Sequence, residues 1–147
     1  MNGQDLDNPD LVNKDGSKVD WVEVFPDSYE YLYFVAVITN NTNEDFSVDS
    51  CGLSWGKWGF YPVKASKNKC EGYFRALGRD SAMSGTEGWV KYKSDTTSKI
   101  ITINFDVPYK GSSSQSVDFD KNSYNVTAEV SKNKDGAMVV NYTIKPV

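Results

Sequence analysis

The residues with chemistry to offer gather between Ala76 and Gly111. Arg79 and Asp80 follow Gly78 in a run of small residues that ends at Gly88, and Glu87, Trp89, Asp106 and Tyr109 lie just beyond it. The guanidinium of Arg79 can clamp an anionic group through two parallel N–H bonds, or pair with its neighbour Asp80. Gly78, Gly85 and Gly88 lack the spacing of a phosphate-cradling loop, and no helix pattern follows them. Glu71, Asp80, Glu87 and Asp106 could in principle supply a glycosidase acid and nucleophile. An acidic chain offers such combinations by composition alone, so they do not by themselves indicate catalysis.

Composition excludes more than it suggests. The chain has 147 residues and no histidine. Ser-His and Cys-His nucleophiles, histidine proton shuttles and the common zinc sites are therefore ruled out. Cys51 and Cys70 are the two cysteines. They suit either one disulfide in an oxidising compartment or two half-buried thiols, and without histidine they make no metal site. No cofactor is implied. The net charge of −4 disfavours nucleic acid, which needs a basic stripe, and gives no attraction to anionic lipid. A zwitterionic or neutral membrane stays open.

Four tryptophans, at 21, 55, 58 and 89, are many for this length. One or two belong in a core. Trp58, in an aromatic-glycine stretch from Trp55 to Pro62 that reads as a loop, and Trp89, whose strand face it shares with Glu87, Lys91 and Lys93, are expected at the surface. Tyr109 is expected there too, in the loop after Pro108. Indole and phenol rings favour membrane–water interfaces because one end is apolar and the other polar.

The elements that would hold these side chains are strands. Tyr31–Thr39 is apolar on both faces and predicts a central, twice-buried strand. Phe46–Trp55 follows, with a bulge expected at Ser50-Cys51-Gly52. Glu71–Leu77, Thr86–Lys93 and Lys99–Val107 come next. In the last, Ile101, Ile103, Phe105 and Val107 alternate with polar residues. Pro108–Gly111 and the serine run after it read as loop. Tyr124–Val130 and Met138–Ile144 form a hairpin around Asp135-Gly136. Strands spaced this way without a helix predict an all-β fold, a single-domain antiparallel β-sandwich over residues 31–147, with residues 1–30 an N-terminal arm packed on it. The first residues are polar and acidic, so no secretory signal is read. The longest apolar run, Tyr31–Ile38, is too short for a spanning helix of roughly 20 residues. A soluble protein is expected.

Three blocks in order carry a family resemblance: Leu53-Ser54-Trp55-Gly56-Lys57-Trp58, then Gly78-Arg79-Asp80-Ser81-Ala82-Met83-Ser84-Gly85-Thr86-Glu87-Gly88, then Phe105-Asp106-Val107-Pro108-Tyr109. Together they resemble the aegerolysins over about Leu32–Val147. Met83–Tyr92 and Asn104–Ser112 are most similar to bacterial members, the small components of binary insecticidal toxins. The resemblance implies a β-sandwich without catalytic activity that recognises membranes, often sphingolipid-containing ones, outside the producing cell. It also implies a larger second toxin protein, perforin-like or carrying a lectin-like domain, that makes the pore. Leu77 and Val107 stand where fungal members often have cysteine, Asp80-Ser81 where they have Ser-Asp, and tryptophans near Phe105 and Tyr109 are missing. The candidate membrane- or partner-binding residues are Trp55, Trp58, Arg79, Asp80, Trp89 and Tyr109. Exposed Trp and Tyr also stack on sugars, so a carbohydrate-binding, lectin-like module is the alternative.

Overall fold

The computed structural model describes residues 32–78, 85–134 and 136–147. Among them there is no helix. Nine strands run in the order β1 (Tyr33–Asn40), β2 (Phe46–Trp55), β3 (Lys57–Val63), β4 (Lys69–Leu77), β5 (Thr86–Ser94), β6 (Ile100–Val107), β7 (Ser114–Asp118), β8 (Tyr124–Lys134) and β9 (Ala137–Pro146). They make a sandwich of a five-stranded sheet, β3-β4-β1-β9-β8, and a four-stranded sheet, β2-β5-β6-β7. The all-β sandwich read from the sequence is what forms. Pairing is antiparallel throughout except between β1 and β9, which run parallel in the middle of the larger sheet.

The core between the sheets follows from alternation. Phe34, Ala36 and Ile38 of β1 face inward to meet Val90 and Tyr92 of β5 and Ile101, Ile103, Phe105 and Val107 of β6. The Phe34 and Phe105 rings stack at 4.6 Å, and Phe74 tilts against both. Each such ring contributes about 1.5–3 kcal/mol by leaving water. Hydroxyls at the core margin tie the sheets together: Tyr92 donates to the Val63 carbonyl at 2.8 Å and Tyr142 to Gln115 at 2.7 Å. Burial raises the pKa of both phenols, so they remain neutral donors.

One end of the sandwich is locked by the Glu44 carboxylate, which accepts from Ser94 Oγ at 2.6 Å and Tyr124 OH at 2.5 Å. Buried Asn40 donates to the carbonyls of Glu44 and Ala65. These bonds join the β1–β2, β3–β4 and β5–β6 connections, so that end is fixed and the opposite end of the β5–β6 hairpin is left for other work.

Several local expectations change. Trp55–Pro62 is not a loop: the chain turns at Gly56 (φ +98°) from the four-stranded to the five-stranded sheet and continues as β3. A side chain at Gly56 would also meet the Leu77 carbonyl at 2.4 Å, so only glycine turns this corner. The strand was hidden by two register slips and by Pro62, which an edge strand tolerates. The serine run contains β7, a polar edge strand with Val117 as its one apolar contact to the core. The β2 irregularities fall between Val48 and Ser50 and between Leu53 and Trp55, on either side of Gly52. In β8, Tyr124 and Val126 are buried, but Ala128 and Val130 are exposed on an edge strand. Cys51 and Cys70 lie in different sheets as thiols, not as a disulfide.

Candidate functional site

The free end of the β5–β6 hairpin carries two adjoining hollows, of about 510 and 390 Å³. Glu87 and Asp106 form the ridge between them and line both. The hairpin register sets them directly opposite each other on neighbouring strands, which brings their Cβ atoms to ~5 Å. Both side chains are half-exposed, and among the described residues no ion pair or side-chain hydrogen bond reaches either. Two unpaired carboxylates side by side make a place that favours a cation.

On one side of the ridge Trp55 and Tyr109 flank the smaller hollow, with Thr86 and Pro108 below. Trp55 is 63% exposed and Tyr109 45% exposed. The Thr86 hydroxyl donates to the Trp55 carbonyl at 3.2 Å and so holds the end of β2 against β5. Lys110 Nζ sits 6.0 Å from the Tyr109 ring. On the other side, Trp89, Asn104, Gln115 and Ser116 line a trough of mixed polarity along β5, β6 and β7.

Trp89 is half-buried rather than projecting. It pairs across the ladder with Gly52 on edge strand β2, and a side chain there would strike its ring at 2.9 Å. The indole thus lies over a glycine that leaves room for it, with Lys91 Nζ 5.7 Å from its ring. Gly88, next in β5, is equally constrained: a Cβ would meet the Gly52 carbonyl at 2.3 Å. Trp58 does not join this region as a surface ring. It stands half-buried at the core margin, edge-on to Phe74 at 5.9 Å and Phe105 at 6.4 Å, and its outer side meets exposed Tyr61. The cause is the strand character of β3, which turns Trp58 inward opposite Ala76. Arg79 and Asp80 lie outside the described residues.

Of the carboxylates weighed for glycoside hydrolysis, Glu71 is on β4 in the other sheet, ion-paired with Lys69 at 3.4 Å. Asp80 lies outside the described residues. Glu87 and Asp106 do meet, as a cation-favouring pair not recognised from the sequence alone. The signal was present: counting both strands outward from the Asp95–Ser98 turn sets residue 87 against 106. Among the described residues no cluster of three or more metal-ligating side chains exists.

Comparison with known proteins bears on the family and the fold. A family model described as Aegerolysin matches residues 33–146. A search of curated protein sequences gave no match. Solved structures share the fold at low identity. RahU protein, crystallised with a TRIS molecule, has a TM-score of 0.68 at 16% identity over 78% of this chain and 95% of its own. IP-1A from Alcaligenes faecalis has 0.65 at 23% identity, over 78% and 91%. The lipid binding protein Nakanori has 0.63 at 13%, over 77% and 70%. With the family model spanning nearly the whole sandwich, from the first residue of β1 to the last of β9, the chain belongs to the aegerolysin family.

Proposed function

We propose that this protein is a non-enzymatic membrane-recognising subunit of a two-component pore-forming, insecticidal toxin, working with a larger perforin-like or lectin-domain partner. The aegerolysins are lipid- and membrane-binding proteins, which supports the first half of that reading. The observation that carries it is the placement of exposed Trp55 and Tyr109 beside the unpaired Glu87–Asp106 ridge at the unlocked end of the sandwich. The rings supply interfacial anchors. Burying the exposed part of one indole, ~100–150 Å² of it, gains about 2.5–4 kcal/mol before ordering costs. The carboxylates favour the ammonium end of a zwitterionic headgroup, sphingolipids included, and repel an anionic lipid.

The need for a partner rests on what the strands are doing. A barrel needs strands of ~9–11 residues, apolar outward and polar inward, held in reserve. The apolar faces of β6 and β9 are already spent on the core. Anchoring through a few aromatic contacts is weak as a single event and becomes effective when an assembly multiplies it.

The test is sedimentation and dye release with vesicles of amine-headed sphingolipid and sterol against vesicles of phosphatidylglycerol. The chain should bind the former and not the latter, lose at least tenfold in affinity as Trp55→Ala or Tyr109→Ala, and release dye only when its larger partner is added. Binding to a glycan array with no vesicle binding would replace this reading by the lectin one. Strong release by the chain alone would remove the partner.

A further inference from the structure

The five-stranded sheet has a second apolar face that the sandwich does not use. Tyr33, Val35 and Val37 of β1, Tyr73 of β4, and Ala137 and Val139 of β9 point away from the four-stranded sheet, yet each is 0–3% exposed. Phe60, Leu77 and Cys70 border them. Side chains at that exposure are covered. No described strand lies across this face, since all nine belong to the two sheets.

Charge on the same face is one-sided. Cross-strand partners share a face, so Lys57 opposite Leu77, Lys134 opposite Ala137, Lys132 opposite Val139 and Arg75 opposite Val35 all lie on it. Lys132 Nζ rests 5.8 Å from the Tyr33 ring. These four cations surround the start of β1. Glu71 and Glu129, the acids of this face, sit toward its far end.

We propose that residues 1–31 of this chain are the occupant, a third layer laid over the outer face of the five-stranded sheet. That segment joins the sheet at the start of β1, among the four cations. It carries eight acidic residues against two lysines, a net of −6; with −4 for the whole chain, the remainder is +2. Its apolar residues, Val19, Trp21 and Phe25 in alternation, can supply the cover. Its reach is ample: extended, it spans ~100 Å, and five strands are only ~20 Å across. With this face closed by the chain itself, membrane and partner contacts fall to the Trp55–Tyr109 end.

The test uses the full chain. Zero-length carbodiimide cross-linking of the monomer, mapped by mass spectrometry, should join acids within 1–31 to Lys57, Lys132 or Lys134. Links confined to Lys91 and Lys93 on the other sheet, links only between two chains, or no link from 1–31 overturn the proposal. Trp21→Ser with Phe25→Ser should raise the alkylation rate of Cys70, at the border of this face, at least tenfold while Cys51 in the other sheet keeps its rate. An unchanged Cys70 rate overturns it as well.

Discussion

Replacing Glu87 by Gln removes one of two negative charges that the hairpin register holds side by side, and keeps the side chain's size. Cross-strand neighbours hold their Cβ atoms ~5 Å apart, which sets the scale of the charge separation. Two unit charges at that distance repel by about 0.8–1.5 kcal/mol at an effective dielectric of ~40–80, the range suited to half-exposed groups. Directly opposed like charges cost ~0.2–1 kcal/mol in sheets, so Glu87→Gln is expected to stabilise the fold by about 0.5–1 kcal/mol, or roughly 1–4 °C in Tm. The gain should fade in 1 M salt, where the screening length of ~3 Å is shorter than the separation. The same substitution should weaken binding to amine-headed vesicles by about three- to tenfold, because the cation loses one of two carboxylates. Denaturant titration at low and high salt, with vesicle sedimentation alongside, reads all three quantities. The reasoning fails if Glu87→Gln destabilises the protein, if its gain persists in 1 M salt, or if vesicle binding is unchanged.

Three further outcomes follow from the packing. Gly88→Ala should destabilise by about 1–3 kcal/mol in denaturant melts, because its Cβ meets the Gly52 carbonyl at 2.3 Å, a backbone atom that cannot swing aside. Cys51→Ser with Cys70→Ser should leave folding and vesicle binding intact, since the thiols lie in different sheets and close no loop. Acid should weaken the β7–β8 connection through Asp120. Its bonds from Lys99 at 2.7 Å, the Asn122 amide and Ser123 hold its pKa down to about 2 from 3.8. A folded pKa below the unfolded one adds stability that is present above pH ~4 and lost as pH falls toward 2. Asp120→Asn should flatten the pH dependence of Tm in that window and leave the value near pH 7 lower than wild type.

What the sequence made legible was whatever a period of two could carry. β5 and β6 alternate without interruption, so the inward Val90, Tyr92, Ile101, Ile103, Phe105 and Val107 were readable directly, as was the two-faced burial of β1. β3 was not, because two register slips and Pro62 break its period. β7 was not, because an edge strand facing solvent needs only one apolar residue and reads as loop. The orientation of two tryptophans depends on partner strands: Trp58 packs at the core margin, while Trp89 keeps its outward face but lies flat on it. Trp58 is drawn in by the turn at Gly56, and Trp89 lies down because Gly52 is opposite it. Neither relation can be seen within one strand.

The same dependence explains why the candidate site is an end and not a strand. Trp55, Thr86 and the Asp106–Tyr109 stretch are separated in sequence, and none is unusual alone. They converge because β2 ends, β5 begins and β6 ends at one edge, while Glu44 consumes the polar groups of the other. The Glu44 end has its carboxylate buried in hydrogen bonds from Ser94 and Tyr124, and the Glu87–Asp106 end has two carboxylates with no described partner. One pole of the sandwich thus has its polar groups satisfied internally, and the other keeps unpaired charge and exposed rings, which is why the proposed function is assigned to the second pole. The outer face of the larger sheet is buried already, so the exposed rings and unpaired carboxylates of that pole are the recognition surface the proposed function uses.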